Sequence, residues 1–260
     1  MKAFREFGLA IQCYNRGFKL LFHKKIRLFL FIPIVINILL IVGGYSLITN
    51  FTDGLSEKIF QLTGAENLTF WGSAYFDELI YGIFYFTFNV LFILSLILYG
   101  GFLIIIIMSP FFSIISERIE SLETGVDYPF SIKKALQDIW RGIKITVRNA
   151  VVQLLLSVVI FIIGFIPILG AFAPILLFVT SSFFYGASFM DFGMERHYPT
   201  IRESISFIRQ HRVATFGVGA LFALSLFLPL CNLFLAAFVA IWSVIAGTLV
   251  ILKIQNKQFY

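Results

Sequence analysis

Arg27 stands at the edge of 25 residues without a charge, Leu28 to Thr52, with Lys24 and Lys25 just before it. A guanidinium in that place offers forked N–H donors. A tetrahedral oxyanion needs such fixed donors and one or two cations, because its desolvation is costly. An arginine ending an apolar run also has a plainer use, as an anchor that snorkels toward lipid headgroups. Both readings stay open for Arg27. A second source of donors lies further on, where two runs of 42 and 40 residues, Asn149 to Met190 and Val213 to Leu252, carry no charge. Each breaks near its middle, at Phe165-Ile166-Pro167-Ile168-Leu169-Gly170 and at Phe227-Leu228-Pro229-Leu230-Cys231-Asn232. Helices starting after Pro167 and Pro229 would aim unbonded backbone N–H groups and positive dipole ends inward, as discontinuous helices do at anion sites inside membranes.

Other groups with chemistry gather where the apolar runs end. Glu117, Arg118, Glu120 and Glu123 follow Pro110 on an expected helix, with Arg141, Lys144 and Arg148 as candidate partners. Glu117 and Glu120 are three apart and share a face. A network of Glu117, Arg118, Glu120 and Arg148 lining an ion path is one reading. Salt bridges that fasten helix ends are the plainer one. Asn37, Asn89 and Gln153 lie inside apolar runs, as side chains that bond between helices do. Catalysis finds no support: His23, His197 and His211 are scattered, and none is spaced with carboxylates or thiols as a metal site requires. No nucleophile elbow or phosphate-binding glycine loop is present. Cys13 and Cys231 read as two isolated thiols. The expectation is a non-enzyme without metal or cofactor.

The elements that must hold these residues follow from composition. Hydrophobic residues make up 59% of the 260 and charged ones 13%, too few to clothe a soluble domain. An integral membrane protein of helices is the class. A spanning helix needs roughly 20 apolar residues, so the first run predicts one long helix over 26–52. The second run, Leu79 to Ser116, predicts another over 75–120, kinked or broken at Ser109-Pro110. The two longest runs read as helical hairpins, within 131–195 and 200–254, tipped at Pro167 and Pro229. Gly170 and Asn232 then supply the left-handed conformations that a tight reversal favours. Uncharged tips suit hairpins that dip into the membrane, although each arm is long enough to approach a full span.

Charge sets the orientation. Nineteen of the 20 Lys and Arg fall on one side if both hairpins leave and return, while residues 53–78 hold five acids and Lys58. The positive-inside rule puts both termini in the cytoplasm, and the net charge of +6 reflects orientation rather than nucleic acid. Residues 1–24 lack a continuous apolar core, so no cleaved leader is expected. Phe4, Phe7, Ile11, Tyr14, Phe18 and Leu21 recur as one helical stripe. That pattern predicts an interfacial amphipathic helix, or one packed on the rest of the protein. All 260 residues form a single membrane domain on this reading.

The pattern is also familiar. SPFFSIISERIESLETG (109–125) resembles the motif after the second long helix of the CysZ sulfate permease family: a Pro-Phe break, small and apolar residues, then Glu-basic-x-Glu ending in Thr-Gly. IRLFLFIPIVINILL (26–40) is similar to the start of that family's first long helix, FIPILGAFAP (165–174) to its first hairpin tip, and FGVGALFALSLFLPLCNLF (216–234) to its second. The resemblance covers about residues 15 to 250, and the wider superfamily includes the eukaryotic etoposide-induced membrane proteins. It implies a homo-oligomer of the inner membrane that passes sulfate to the cytoplasm for cysteine synthesis. It also implies sulfate bound at two adjacent arginines before the first long helix. The matching dipeptide here is Arg27-Leu28, with Lys24 and Lys25 beside it. Arg27, Lys25 and Lys24 are therefore the anion-binding candidates. The alternative is a non-transporting protein of the same fold, in envelope organisation or lipid handling.

Overall fold

The computed structural model describes residues 2–32, 35, 73–126, 132–197, 200–226 and 232–256. Among them there are helices and turns and no strand. The chain forms two compact units, Met1–Ile34 with Tyr99–Tyr260, and Val35–Leu98. In the smaller unit the described backbone is helical from Ser73 onward. Beyond Ile32 most of the first predicted helix (26–52) lies outside the described residues, as do Asn37, Pro229 and Cys231. The side chains of Asn89, Pro167 and Asn232 also fall outside them.

Helix α1 (Lys2–Leu21) leads to a 3-10 turn at Arg27–Leu30. Helix α2 (Ser73–Thr124) is a single helix of 52 residues that passes through Pro110 without ending, so of the expected kink or break there is no break. Pro110 has no N–H to give to the carbonyl four residues back, which is that of Ile106. Ser109 Oγ donates to that carbonyl instead, at 2.8 Å. The neighbouring hydroxyl thus closes the gap in the ladder.

The first hairpin is α3 (Ile132–Gly164), a single turn at Pro167–Gly170, and α4 (Ala173–Met194). Ile166 is extended, with φ −82° and ψ 117°, as the residue before a proline tends to be. Its role at the reversal is the expected one. Gly170 does something else, because among the described glycines only Gly125 has a positive φ, of 74°. A Cβ on Gly170 would come within 3.1 Å of the Gly164 carbonyl carbon, so glycine is needed for close approach rather than for left-handed geometry. The arms are antiparallel and in register: Gly164 faces Ala173, Gln153 Nε2 donates to Ser181 Oγ at 2.9 Å, and Asn149 Nδ2 donates to Ser188 Oγ at 2.9 Å. Gln153 therefore bonds between helices as expected. Pro174 opens α4 within its first turn, where a missing N–H costs nothing.

Three helices complete the larger unit. Helix α5 (Ile201–Gln210) begins with a capping box: Thr200 Oγ1 accepts from Glu203 N, and Glu203 Oε2 accepts from Thr200 N. Helices α6 (Arg212–Leu226) and α7 (Asn232–Gln255) are the described arms of the second hairpin. Among the described residues four helical stretches are long and apolar enough to cross a membrane: Gly101–Thr124, Leu136–Gly164, Ala173–Met194 and Leu235–Gln255. Helix α6, at 15 residues, is shorter. It reaches only about 22 Å at 1.5 Å per residue.

Helix α4 is the spine of this unit. It crosses α6 backbone against backbone, since a Cβ on Gly186 or Gly219 would lie within 2.9 Å of the other helix's main chain. Ser182-x-x-x-Gly186 and Thr215-x-x-x-Gly219 are the small residues that permit this approach. Next to the crossing, Tyr185 packs on Phe102 of α2 and Phe222 of α6, and Phe189 packs on Phe112 and Phe222. Helix α1 docks on α6 and α7 through Ala10, Cys13, Gly17 and Leu21, and burial pushes the Cys13 thiol up to about 12. Of the predicted apolar stripe only Tyr14 and Leu21 are buried. Phe4, Phe7, Ile11 and Phe18 remain exposed, so the packed face is about a third of a turn around the wheel from the aromatic one.

Gly219→Ala is expected to cost about 1–3 kcal/mol by overpacking, read as unfolding in detergent. Gly8→Ala, where a Cβ meets nothing within 4 Å, should stabilise by about 0.5–1 kcal/mol. Equal effects at the two sites would contradict the crossing. Ser109→Ala leaves the Ile106 carbonyl unmatched, and a loss of about 1 kcal/mol is expected in the same measurement.

Candidate functional site

After α1 the chain winds around His23. Its carbonyl accepts from Ile26 N at 2.8 Å and Arg27 N at 3.0 Å, while Nδ1 accepts from Lys25 N at 3.3 Å. Ile26 is fully buried and pins the turn. Lys24, Lys25 and Arg27 are all exposed around it, and among the described residues none of the three is ion-paired. Arg118, from α2, reaches across to donate Nη1 to the Lys25 carbonyl at 2.7 Å and lies over the Phe29 ring at 5.0 Å. It occupies a carbonyl that would repel an anion and brings a fourth cation to the turn. Leu28 is 73% exposed, an apolar side chain among the bases.

A second polar assembly is buried between α2, α3 and α4. Glu120 Oε2 accepts from Arg196 Nε at 2.6 Å, and Oε1 lies 2.9 Å from His197 Nε2. Arg196 Nη2 also donates to Ser116 Oγ, which itself donates to the Phe192 carbonyl. Arg141 Nη2 reaches Ser204 Oγ at 2.5 Å and Asp191 Oδ1 at 3.4 Å. Ser113 Oγ donates to Glu195 Oε2 at 2.9 Å. Three buried carboxylates (Glu120, Asp191, Glu195) thus face two arginines and a histidine, with Asp138 adding a further negative charge nearby. Burial first, then the charges of Asp191 and Asp138, push Glu195 well above the usual carboxylate range. Both arginines lie against carboxylates, so this layer has the wrong balance for an oxyanion. It fastens helices together.

A family model described as Sulfate transporter CysZ/Etoposide-induced protein 2.4 matches residues 13–237. The chain belongs to this family. The match takes in the basic turn, the polar layer, the first hairpin and the described α6, so the membrane-protein reading rests on composition, helices and family together.

Within this CysZ/etoposide-induced 2.4 frame, the sequence-predicted residues separate into two places. Lys24, Lys25 and Arg27 lie together on one exposed turn, and Arg118 joins them from the predicted polar network. Glu120 turns inward to Arg196 and His197 rather than to Arg141, Lys144 or Arg148. Arg148 stays exposed, with Nη1 3.4 Å from the Oδ1 of its neighbour Asn149. Glu117 is half-exposed. The helix starting at Pro167 lasts one turn, and the Gly170 N–H is already bonded to Ile166 O at 2.7 Å, which leaves little of the expected dipole. Sequence reasoning did not pair Asp191 or Glu195, and it offered Arg141 to Glu117 and Glu120 rather than to Asp191. The available signal was spacing: Ser181 and Ser188 on α4, opposite Gln153 and Asn149 on α3, recur every seven residues with Glu195 just past the helix end.

Glu120→Ala leaves Arg196 buried without its carboxylate, and a loss of about 3–5 kcal/mol is expected. The double change Glu120→Met with Arg196→Met should recover most of it. For Glu195 the folded group holds its proton more tightly than the unfolded one, whose ordinary value is 4.5. Stability therefore falls as pH rises from there through the folded value. Glu195→Gln should flatten the pH dependence of the unfolding midpoint and raise it at the alkaline end.

Proposed function

We propose that the chain is a permease of the inner membrane for sulfate or a related oxyanion, feeding sulfate assimilation and cysteine synthesis. It works as a homo-oligomer with both termini in the cytoplasm. The observation that carries this reading is the exposed basic turn. Lys24, Lys25 and Arg27 stand at the mouth of the first apolar run, with the Lys25 carbonyl neutralised by Arg118. Arg27 supplies the fork for two sulfate oxygens, and the lysines supply charge. Arg118 offsets the missing second arginine from a different helix. Membership of the Sulfate transporter CysZ/Etoposide-induced protein 2.4 family supports the substrate class.

A non-transporting protein of the same fold, in envelope organisation or lipid handling, is the second reading. It is favoured by Leu28, whose exposed apolar side chain stands where the resemblance expects an anion-binding arginine.

Uptake of labelled sulfate into vesicles holding only the purified protein decides between them. Uptake above empty vesicles is expected. In the same vesicles Arg27→Ala should weaken apparent sulfate affinity at least about ten-fold, through loss of the charge-assisted bonds to two sulfate oxygens. Folded protein that gives no uptake removes the transport reading.

A further inference from the structure

We propose that the outer face of α1 is a seat for an anionic phospholipid surface. At about 100° per residue the helix divides into three sectors. Glu6, Leu9, Ala10, Cys13, Gly17 and Leu21 face the protein. Phe4, Phe7, Ile11 and Phe18 form an exposed aromatic and aliphatic stripe beside them, with Phe4 87% exposed. Arg5, Gln12, Asn15, Arg16 and Lys19 fill the remaining, exposed sector. A helix with one side on protein, one apolar and one polar fits a bilayer boundary, where each sector meets its own medium.

The fastening places the helix at that boundary. Glu6 Oε1 lies 3.2 Å from His211 Nδ1, at the start of α6. Arg16 Nη2 lies 2.8 Å from Glu123 Oε1, at the end of α2. Between them Tyr14 bonds Val218 and Ser243, and Trp242 Nε1 donates to the Tyr14 carbonyl. Two of these ties reach the charged ends of α6 and α2, and they set both Glu6 and Arg16 of α1 at the level where apolar helix gives way to charge.

Charge selects the kind of lipid. Glu6 is the one acid in residues 1–52, and it is buried against His211. The exposed charges of α1 are therefore all basic, and of Arg5, Arg16 and Lys19 it is Lys19 that lies nearest the stripe around the wheel. Acyl chains cover the stripe while phosphates meet the rim. A neutral lipid would satisfy only the first.

The experiment uses the whole chain in proteoliposomes of phosphatidylglycerol and phosphatidylcholine, with Cys13 and Cys231 replaced by Ala. A nitroxide on Ile11→Cys should collide with oxygen and be shielded from an aqueous nickel chelate. One residue on, Gln12→Cys should show the reverse. Chelate access at both positions overturns the proposal, and so does spin–spin broadening between Ile11 labels, which would mean that a second copy covers the stripe. Lipid retained by the purified protein should be enriched in phosphatidylglycerol. Lys19→Gln should reduce that enrichment about five-fold, the factor that one lysine near an anionic surface contributes. Unchanged enrichment rejects the anionic specificity.

Discussion

With no water to complete them, the hydrogen bonds of apolar helices have to be closed inside the protein. Much of the molecule follows from that constraint. Hydroxyls are spent on carbonyls: Thr180 on Leu176, Ser182 on Phe178, Ser225 on Phe222 and Thr248 on Val244. At Ser109 the same bond does more, because it replaces the N–H that Pro110 lacks and keeps α2 continuous. The helix then carries Ser113, Ser116 and Glu120 on one side, at steps of three and four, into the same buried layer. A break at Pro110 would separate Arg118, which holds the basic turn, from the Tyr185 contact at Gly101 and Phe102.

The constraint also explains why α4 is bound to its two neighbours in different ways. Against α6 it uses contact: glycine faces glycine, and rings fill the space on either side. Against α3 it uses polar pairs, Gln153 with Ser181 and Asn149 with Ser188, along a face otherwise flanked by exposed Leu, Val and Phe. Apolar contact has little hydrophobic advantage where the surroundings are as apolar as the side chains. An amide and a hydroxyl have one correct register, so the pairs fix how the arms align. The seam ends at Asp191, Glu195 and Arg141, where charge takes over the same task.

The parts legible in the sequence were those set by composition and by local backbone rules. Uncharged runs gave the apolar helices, Pro167 gave the reversal, and Arg27 gave the turn its first cation. What stayed hidden depended on neighbours far along the chain. Pro110 left a kink and a break both open, because the rule about proline does not count a serine that repairs the ladder. Gly170 looked like a left-handed hinge, yet its use is set by the closeness of Gly164, six residues earlier. On α1 the large aromatics drew the pattern, while the packed face was made of Ala10, Cys13 and Gly17, whose small size permits contact and barely registers as hydropathy. Glu120 had several basic residues in reach along the sequence. Its partner came from the other end of α4, because a buried carboxylate needs a cation buried with it.

Charge is thereby divided between two places with opposite sign. Inside, Arg141 and Arg196 are engaged by Asp191 and Glu120, which opposes the entry of a dianion into the layer. Outside, the turn from Lys24 to Arg27 collects cations and has its nearest exposed carbonyl taken by Arg118. These places share α2: Glu120 holds the layer from one side of the helix, and Arg118, two residues before, holds the turn from another. Any anion that draws on the basic turn therefore pulls on a helix whose far side is locked by ion pairs, and movement of the turn has to be resisted or transmitted at Glu120. On the transport reading, the buried layer is the fixed base against which the anion-binding turn is held, and Arg118 is the link between them.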